Sequence, residues 1–339
     1  FDCLICPPKS AGRPTCENKK RKRPRRAALA GRPFFGTMGN RKARRAAGKT
    51  MPEGECLVQV GAVICDIDGT LLPAGRSAIS ARTRLTLLAL KSAGVRVVLA
   101  TGRAPQVALA AAEKIPYDAL VCAQGAAVLE AGGRPRALHT LSEQQMYALV
   151  DFCENGEWPL NFVFDEGYFA YVEYERMLRE LPEDDMQRPW LFDGEDQDKH
   201  LAAMPYGACA FLPESAVRAF GQKYGHLGLC FVPFAPHKWD IYPAGVEKAA
   251  AVQDILQGWG LAWQQAAAIG DGEGDVCLLE KAGLSAAMGN GCQAAKRAAR
   301  HIAPPAEEDG AAQFFSQHIL RALREEESRP GAGGAQHGV

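Results

Sequence analysis

Nowhere in its 339 residues does the chain string together the roughly 18 apolar residues that a membrane-spanning helix needs, so no membrane contact is expected. No apolar core of suitable length follows the charged N-terminal stretch, which excludes a secretory signal there. No internal repeat is evident, which sets repeat architectures aside. The 11 cysteines are odd in number and thinly spread, the usage of a reducing compartment in which Cys serves as a small buried hydrophobe, and a cytoplasmic location is expected. Cys3 and Cys6 form a Cys-x-x-Cys with Cys16 as an imaginable third ligand, but a second pair or a His partner is missing, so a zinc site is not expected.

Net charge is also absent, yet its distribution is lopsided. Residues 1–50 hold 15 Lys or Arg against Asp2 and Glu17, and the other 289 residues hold 24 basic and 37 acidic side chains. The folded part is therefore acidic and a poor surface for nucleic acid. The basic run from Asn18 to Arg26 fits a nuclear signal or a polyanion-binding tail, and its low apolar content and lack of periodicity fit disorder. The chain begins on Phe1, and Met51 stands just ahead of the first apolar strand, which suggests that residues 1–50 lie upstream of the native start.

What is present is organised around Ala62–Leu72, an apolar run that ends in Asp66-Ile-Asp-Gly-Thr70. Such a run reads as a buried parallel strand delivering carboxylates to a loop, and open α/β sheets bind ligands at that end of their strands. Asp66 and Asp68 together suit a hard divalent cation, most simply Mg2+. The plain structural alternative is an Asx-Gly turn in which Asp68 caps its own backbone.

Downstream, Leu85, Leu88 and Ala89 at helical spacing predict a helix from Ser80 that Gly94 stops, with this stripe as its apolar face. Strands are predicted at Val95–Ala100, ending in Thr101-Gly102-Arg103, and at Ala119–Cys122, with a helix from Pro105 to Lys114 between them. This βαβ spacing predicts a parallel, doubly wound α/β sheet. From about His139 to Ala235 the chain carries most of its aromatics, and the alternation of Phe162 with Phe164 and of Phe169 with Tyr171 predicts antiparallel strands of an inserted α+β module. The βα pattern resumes at Trp239–Pro243, followed by a helix at Ala249–Gln257, a strand at Ala266–Ile269 ending in Gly270-Asp-Gly-Glu-Gly-Asp275, and a strand at Ser285–Met288. Further helices are expected at Val276–Ala282, Gln293–Ala299 and Ala311–Arg324. The length suits about two domains. The expected division is a basic segment over 1–55, disordered or non-native, a core over 56–138 and 236–325, an inserted module over 139–235, and a flexible tail over 326–339.

Asp66 and Asp68, Thr101, Lys248, and Asp271 with Asp275 all fall at strand ends or helix starts. Two carboxylate loops around one Mg2+, a hydroxyl and an ammonium suit phosphoryl transfer without a general-base histidine. In that chemistry Asp66 is the nucleophile, Asp68 the general acid and base, Thr101 a donor to a phosphoryl oxygen, and Lys248 the group that offsets repulsion between Asp66 and the phosphoryl oxygens. Taken singly, each has a bland reading. Thr101 suits a helix N-cap, Lys248 a solvated first turn, and Asp271 and Asp275 turns among glycines. Their joint order favours the shared site.

These residues carry a resemblance. Asp66-Ile-Asp-Gly-Thr70, Ala100-Thr-Gly-Arg103, Lys248 and Gly270-Asp-Gly-Glu-Gly-Asp275 resemble the four motifs of the haloacid dehalogenase superfamily, over about residues 58–325. The motif order, the long insertion and Ala287-Met-Gly-Asn290 look like the Cof-type, C2-capped (class IIB) branch. The resemblance implies a Rossmann-like core with an inserted α+β cap that closes over it and sets the substrate. It also implies a phosphatase working through an aspartyl-phosphate, with Mg2+ held by Asp66, the backbone carbonyl of Asp68, and Asp271, and with Asp275 in support. The substrate is then a small phosphomonoester, a sugar phosphate or cofactor monophosphate, contacted by Thr101, Gly102, Arg103, Gln124, Gly125, Lys248 and Asn290. Lys238, Trp239 and the aromatics of the insertion are further candidates for contact.

Two positions depart from the family pattern. Gln124-Gly-Ala126 stands for the usual Asn-Gly-Ala, and Gly274 stands for the Asn of Gly-Asp-x-x-Asn-Asp. Losing that amide weakens the surroundings of metal or phosphoryl group by roughly tenfold to a hundredfold. It opens two other readings, a sugar phosphomutase using the same intermediate and a weakly catalytic metabolite-binding protein.

Overall fold

The computed structural model describes residues 60–183 and 185–327. The basic arm, the Cys3–Cys6 pair and residues 328–339 lie outside them.

Fourteen strands are found among the described residues. They are β1 (Ala62–Cys65), β2 (Arg96–Ala100), β3 (Ala119–Cys122), β4 (Ala127–Glu130), β5 (Pro135–Leu138), β6 (Leu160–Val163), β7 (Tyr168–Val172), β8 (Leu191–Asp193), β9 (Gly207–Phe211), β10 (Leu229–Ala235), β11 (Lys238–Pro243), β12 (Ala266–Gly270), β13 (Leu284–Met288) and β14 (His301–Ala303). They form two sheets, one of eight strands in the order β14-β13-β12-β1-β2-β3-β4-β5 and one of six in the order β10-β11-β9-β6-β7-β8.

In the first sheet β14 through β3 pair in parallel, and β4 and β5 add an antiparallel edge. The central strands are apolar on both faces. Val63 and Cys65 of β1 belong to one core cluster, and Ala62 and Ile64 to another on the opposite face. The first face is covered by α1 (Ala81–Ser92), α2 (Pro105–Ala112) and a helical stretch from Gly310 to Glu327 that includes a π-turn at Ser316–Leu320. The second face takes the helices Lys248–Gly258, Val276–Lys281 and Gln293–Ala298. This is a doubly wound α/β sheet. The chain builds outward from β1 to β3 and later from β12 to β14, so the direction reverses between β1 and β12.

The phase of α1 differs from the sequence expectation. Thr83, Thr86, Leu87 and Leu90 face the sheet, and Leu85 and Leu88 are 64% and 38% exposed. Ser80 caps the helix by accepting from Thr83 N, and the Thr83 hydroxyl donates to Asp309 Oδ1 at 3.2 Å, which turns the threonine side inward.

The second sheet is antiparallel except for the β7–β8 pair. One face packs on the helices Glu143–Gly156 and Glu214–Tyr224 through Phe162, Phe164, Leu149, Phe220, Trp239 and Ile241. The other face, including Tyr168, Cys209 and Tyr242, is continuous with the first core cluster. β11 belongs here, which corrects the expectation that Trp239–Pro243 returns the chain to the parallel sheet. The connection Pro236-His237, with His237 at φ +62°, joins β10 and β11 as an antiparallel hairpin, and β11 also pairs with β9. No helix among the described residues is long and apolar enough to cross a membrane.

Candidate active site

The carboxyl ends of β1 and β12 flank the reversal in strand order, where an open α/β sheet leaves a crevice for ligand. Asp66 follows β1, Asp271 follows β12, and Thr101 follows β2. The turn after β1 closes tightly, with the backbone N–H groups of Thr70, Leu71 and Leu72 all donating to Ile67 O. Gly69 sits in it at φ +71°, and any Cβ there would collide with the Asp271 carboxylate. Glycine thus lets the two acidic loops meet, and Thr70 Oγ1 donates across to Asp271 Oδ1 at 3.3 Å.

Lys248 is the first residue of its helix, and its ammonium is buried. Nζ donates to Asp66 Oδ1 at 2.7 Å and to Asp275 Oδ1 at 2.8 Å. The other oxygen of Asp275 accepts from the backbone N–H groups of Asp271 at 3.1 Å and Gly272 at 3.0 Å, which fixes the turn after β12. Gly125, at φ +107°, supports Lys248 from behind. A Cβ there would come within 2.5 Å of Glu247 O, the residue before Lys248.

Oxygen atoms of Asp66, Asp271 and Asp275 lie within 4.8 Å of one another. Burial raises the Asp66 carboxyl well above the ordinary range; Lys248 opposes that rise, and Asp275, Asp271 and Asp68 add to it. Asp271 is likewise raised, by burial first and then by Asp275. Burial alone would lower the Lys248 pKa, but Asp275 and Asp66 outweigh it and hold the ammonium protonated. One ammonium among three crowded carboxylates leaves an excess of negative charge, and oxygen-only donors in that state suit a hard divalent cation.

The turn after β2 brings a group that the sequence did not pair. Arg103 grips Asp68 with Nε at 2.9 Å from Oδ2 and Nη2 at 2.6 Å from Oδ1, a two-pronged ion pair. The Asp68 side chain is 43% exposed, and Arg103 is buried. Thr101 is buried and does not cap α2, whose N-cap is Ala104. Its Oγ1 accepts from Arg103 N at 3.2 Å, and a hydroxyl that accepts still has its proton to donate.

The sequence pattern of the haloacid dehalogenase-like hydrolases matches residues 63–315, three-quarters of the chain. The chain belongs to that family. Within the family it is a Cof-type phosphatase. Among its relatives, the hydrolase is 25% identical over 270 residues to the 5-amino-6-(5-phospho-D-ribitylamino)uracil phosphatase YcsE of Bacillus subtilis, covering 78% of this chain and 97% of that protein. It is 28% identical over 239 residues to a phosphoglycolate phosphatase of Aeropyrum pernix, covering 70% and 84%. Its fold matches that of BT1666, a HAD-superfamily phosphatase from Bacteroides thetaiotaomicron, with a TM-score of 0.68 at 21% identity over 79% of this chain and 98% of the other. The fold of the subclass IIB sugar phosphatase BT4131 matches with a TM-score of 0.64 at 21% identity, covering 76% and 98%.

Other expected contacts of the hydrolase have these surroundings. Asn290 Nδ2 donates to Gly69 O at 2.7 Å and its Oδ1 accepts from Ala306 N at 3.0 Å, so its carboxamide ties the β1 turn to the loop after β14. Trp239 is buried, with Nε1 donating to Leu212 O, which removes it from the substrate contacts. Lys238 lies over the Phe211 ring and donates to Glu180 O. Phe162, Phe164 and Tyr171 are core of the second sheet. Asp240, which the sequence reading passed over, reaches the first sheet's loops. Its Oδ2 accepts from Gln124 Nε2 at 2.8 Å, and burial pushes its carboxyl up to about 6, opposed by that hydrogen bond and by Lys248. The signal was the alternation in β11, where Trp239 and Ile241 point to one face and leave Asp240 and Tyr242 to the other.

Proposed function

We propose that this phosphatase hydrolyses a small phosphomonoester, a sugar phosphate or cofactor monophosphate, through an aspartyl-phosphate on Asp66 and with Mg2+ as cofactor. The observation that carries this reading is the buried Lys248 ammonium between Asp66 and Asp275. Because Lys248 occupies Oδ1, Asp66 has Oδ2 as the oxygen to attack phosphorus. Bond formation at phosphorus expels the substrate alkoxide, to which Asp68 delivers a proton, and Asp68 then takes a proton from the water that opens the acyl-phosphate. At rest Arg103 pairs with both oxygens of the Asp68 carboxylate; to deliver a proton Asp68 keeps Arg103 on one oxygen and carries the proton on the other, and Thr101 donates to a phosphoryl oxygen. Asp66, Asp271 and the Asp68 carbonyl would hold Mg2+, with Asp275 in support; the cation would offset charge on the phosphoryl oxygens and keep Asp66 ionised.

We assign the six-stranded sheet and its helices, through Pro243, to the cap that sets the substrate. The two relatives named above differ in substrate, so the panel includes ribityl and sugar phosphates, cofactor monophosphates and phosphoglycolate. Phosphate release is measured across that panel with Mg2+ and with EDTA. Mg2+-dependent turnover of at least one member supports the reading, and metal-independent turnover, or none on any member by folded protein, contradicts it.

A further inference from the structure

The Gln124 side chain fills space that two glycines leave open. A Cβ on Gly102 would stand 2.8 Å from Gln124 Nε2, and a Cβ on Gly274 would stand 2.9 Å from Gln124 Oε1. The carboxamide is therefore bracketed between the turn after β2, which carries Thr101, and the turn after β12, which carries Asp271. The backbone of Gln124 is held as well, at φ +54° and ψ +21°, with its N–H donating to Thr101 O at 3.2 Å.

Asp240 Oδ2, on β11, accepts from Nε2 at 2.8 Å. A carboxylate only accepts, so Asp240 decides which end of the amide points where: nitrogen toward β11, oxygen toward Gly274. A Cβ at 274 would push the Gln124 carboxamide aside. The glycine at 274 and the longer amide at 124 are one arrangement.

We propose that Gln124 is a positioning residue for the phosphatase reaction, supplying from the turn after β3 the carboxamide that position 274 lacks, in an orientation set by Asp240. The assignment rests on the phosphatase reading above and adds to it a unit of Gln124, Gly274 and Asp240. Through that unit the second sheet reaches the loops that carry Thr101 and Asp271.

The test is steady-state phosphate release with Mg2+ by wild type, Gln124→Ala, Gly274→Ala, the double Gln124→Ala/Gly274→Ala, and the exchange Gln124→Asn/Gly274→Asn, each with its melting temperature. Each single substitution lowers kcat/KM by about tenfold or more, mainly through kcat, because the same carboxamide is deleted in one and displaced in the other. The double variant is no worse than the poorer single, and the exchange recovers most of the loss. Asp240→Ala reproduces Gln124→Ala and is not additive with it, and Asp240→Asn, which still offers an acceptor oxygen, recovers activity. A Gly274→Ala enzyme as active as wild type, or losses that multiply in the double variants, overturns the assignment and leaves the phosphatase reading standing. A folded wild type without Mg2+-dependent release overturns both.

Discussion

The Lys248 ammonium stands 2.7 Å from the Asp66 carboxylate, with both groups buried where the turn after β1 meets the start of a helix 182 residues away in sequence. Removing one partner of a buried pair strands the other, at a cost of roughly 3–5 kcal/mol. Lys248→Met is therefore expected to lower the melting temperature by several degrees and kcat by about a hundredfold or more. The loss of stability is larger at pH 8 than at pH 5, since acid lets the stranded carboxyls take up protons. Thermal melts at the two pH values check this, and equal losses contradict it.

A second expectation concerns pH and metal together. Asp271 titrates at about 7 in the fold against 3.8 for an ordinary Asp, and Asp66 is raised in the same direction. Between those values the folded, metal-free protein binds protons that the unfolded chain releases, so its stability falls as pH rises through this window. Divalent cations need the deprotonated carboxylates, so their affinity rises over the same window. Melting temperatures with EDTA and with excess Mg2+ should show a larger metal-induced increase at pH 8 than at pH 5. The same increase at both would contradict the assignment of these carboxylates to the cation.

Arg103 is expected to act through Asp68. Arg103→Gln lowers kcat by about tenfold on every substrate, and Arg103→Lys recovers only part, because an ammonium lacks the planar fork. Kinetics on two phosphomonoesters, one with a neutral and one with an anionic leaving group, test it. A defect confined to the anionic substrate would show that Arg103 binds substrate instead.

Gly125→Ala probes how Lys248 is placed. The substitution puts a side chain at φ +107° and presses it on Glu247 O. Strain of this kind costs on the order of 1–3 kcal/mol, so a lower melting temperature and reduced kcat are expected together, in the direction of Lys248→Met. Unchanged kcat would mean that the start of the helix can shift without moving the ammonium.

Much of this site was legible in the sequence because its residues sit where periodicity breaks. Asp66, Thr101 and Asp271 each end an apolar run, and a buried parallel strand can only end that way at a loop. Lys248 was legible as the residue leading into a helix, and the helix begins on it. What stayed hidden depends on the distant packing of short-range ambiguous pieces. Trp239–Pro243, a largely apolar run followed by a Gly and a helix, reads equally as a βα unit or as the second arm of a hairpin, and only pairing with β9 and β10 decides. The α1 stripe was misphased because the contact of Thr83 with Asp309, 226 residues away, sets the roll of the helix. The Arg103–Asp68 pair and the bracketing of Gln124 by Gly102 and Gly274 likewise join residues from separate loops. Composition and spacing do not record such contacts.

The most direct measurement of the central claim is Mg2+-dependent phosphate release by Asp66→Asn beside wild type on the best panel substrate. Asn keeps the shape and removes the nucleophilic carboxylate, so release at least about a thousandfold slower, from a protein that still melts cooperatively, is the predicted result. Release within a few fold of wild type would place the nucleophile elsewhere and contradict the account.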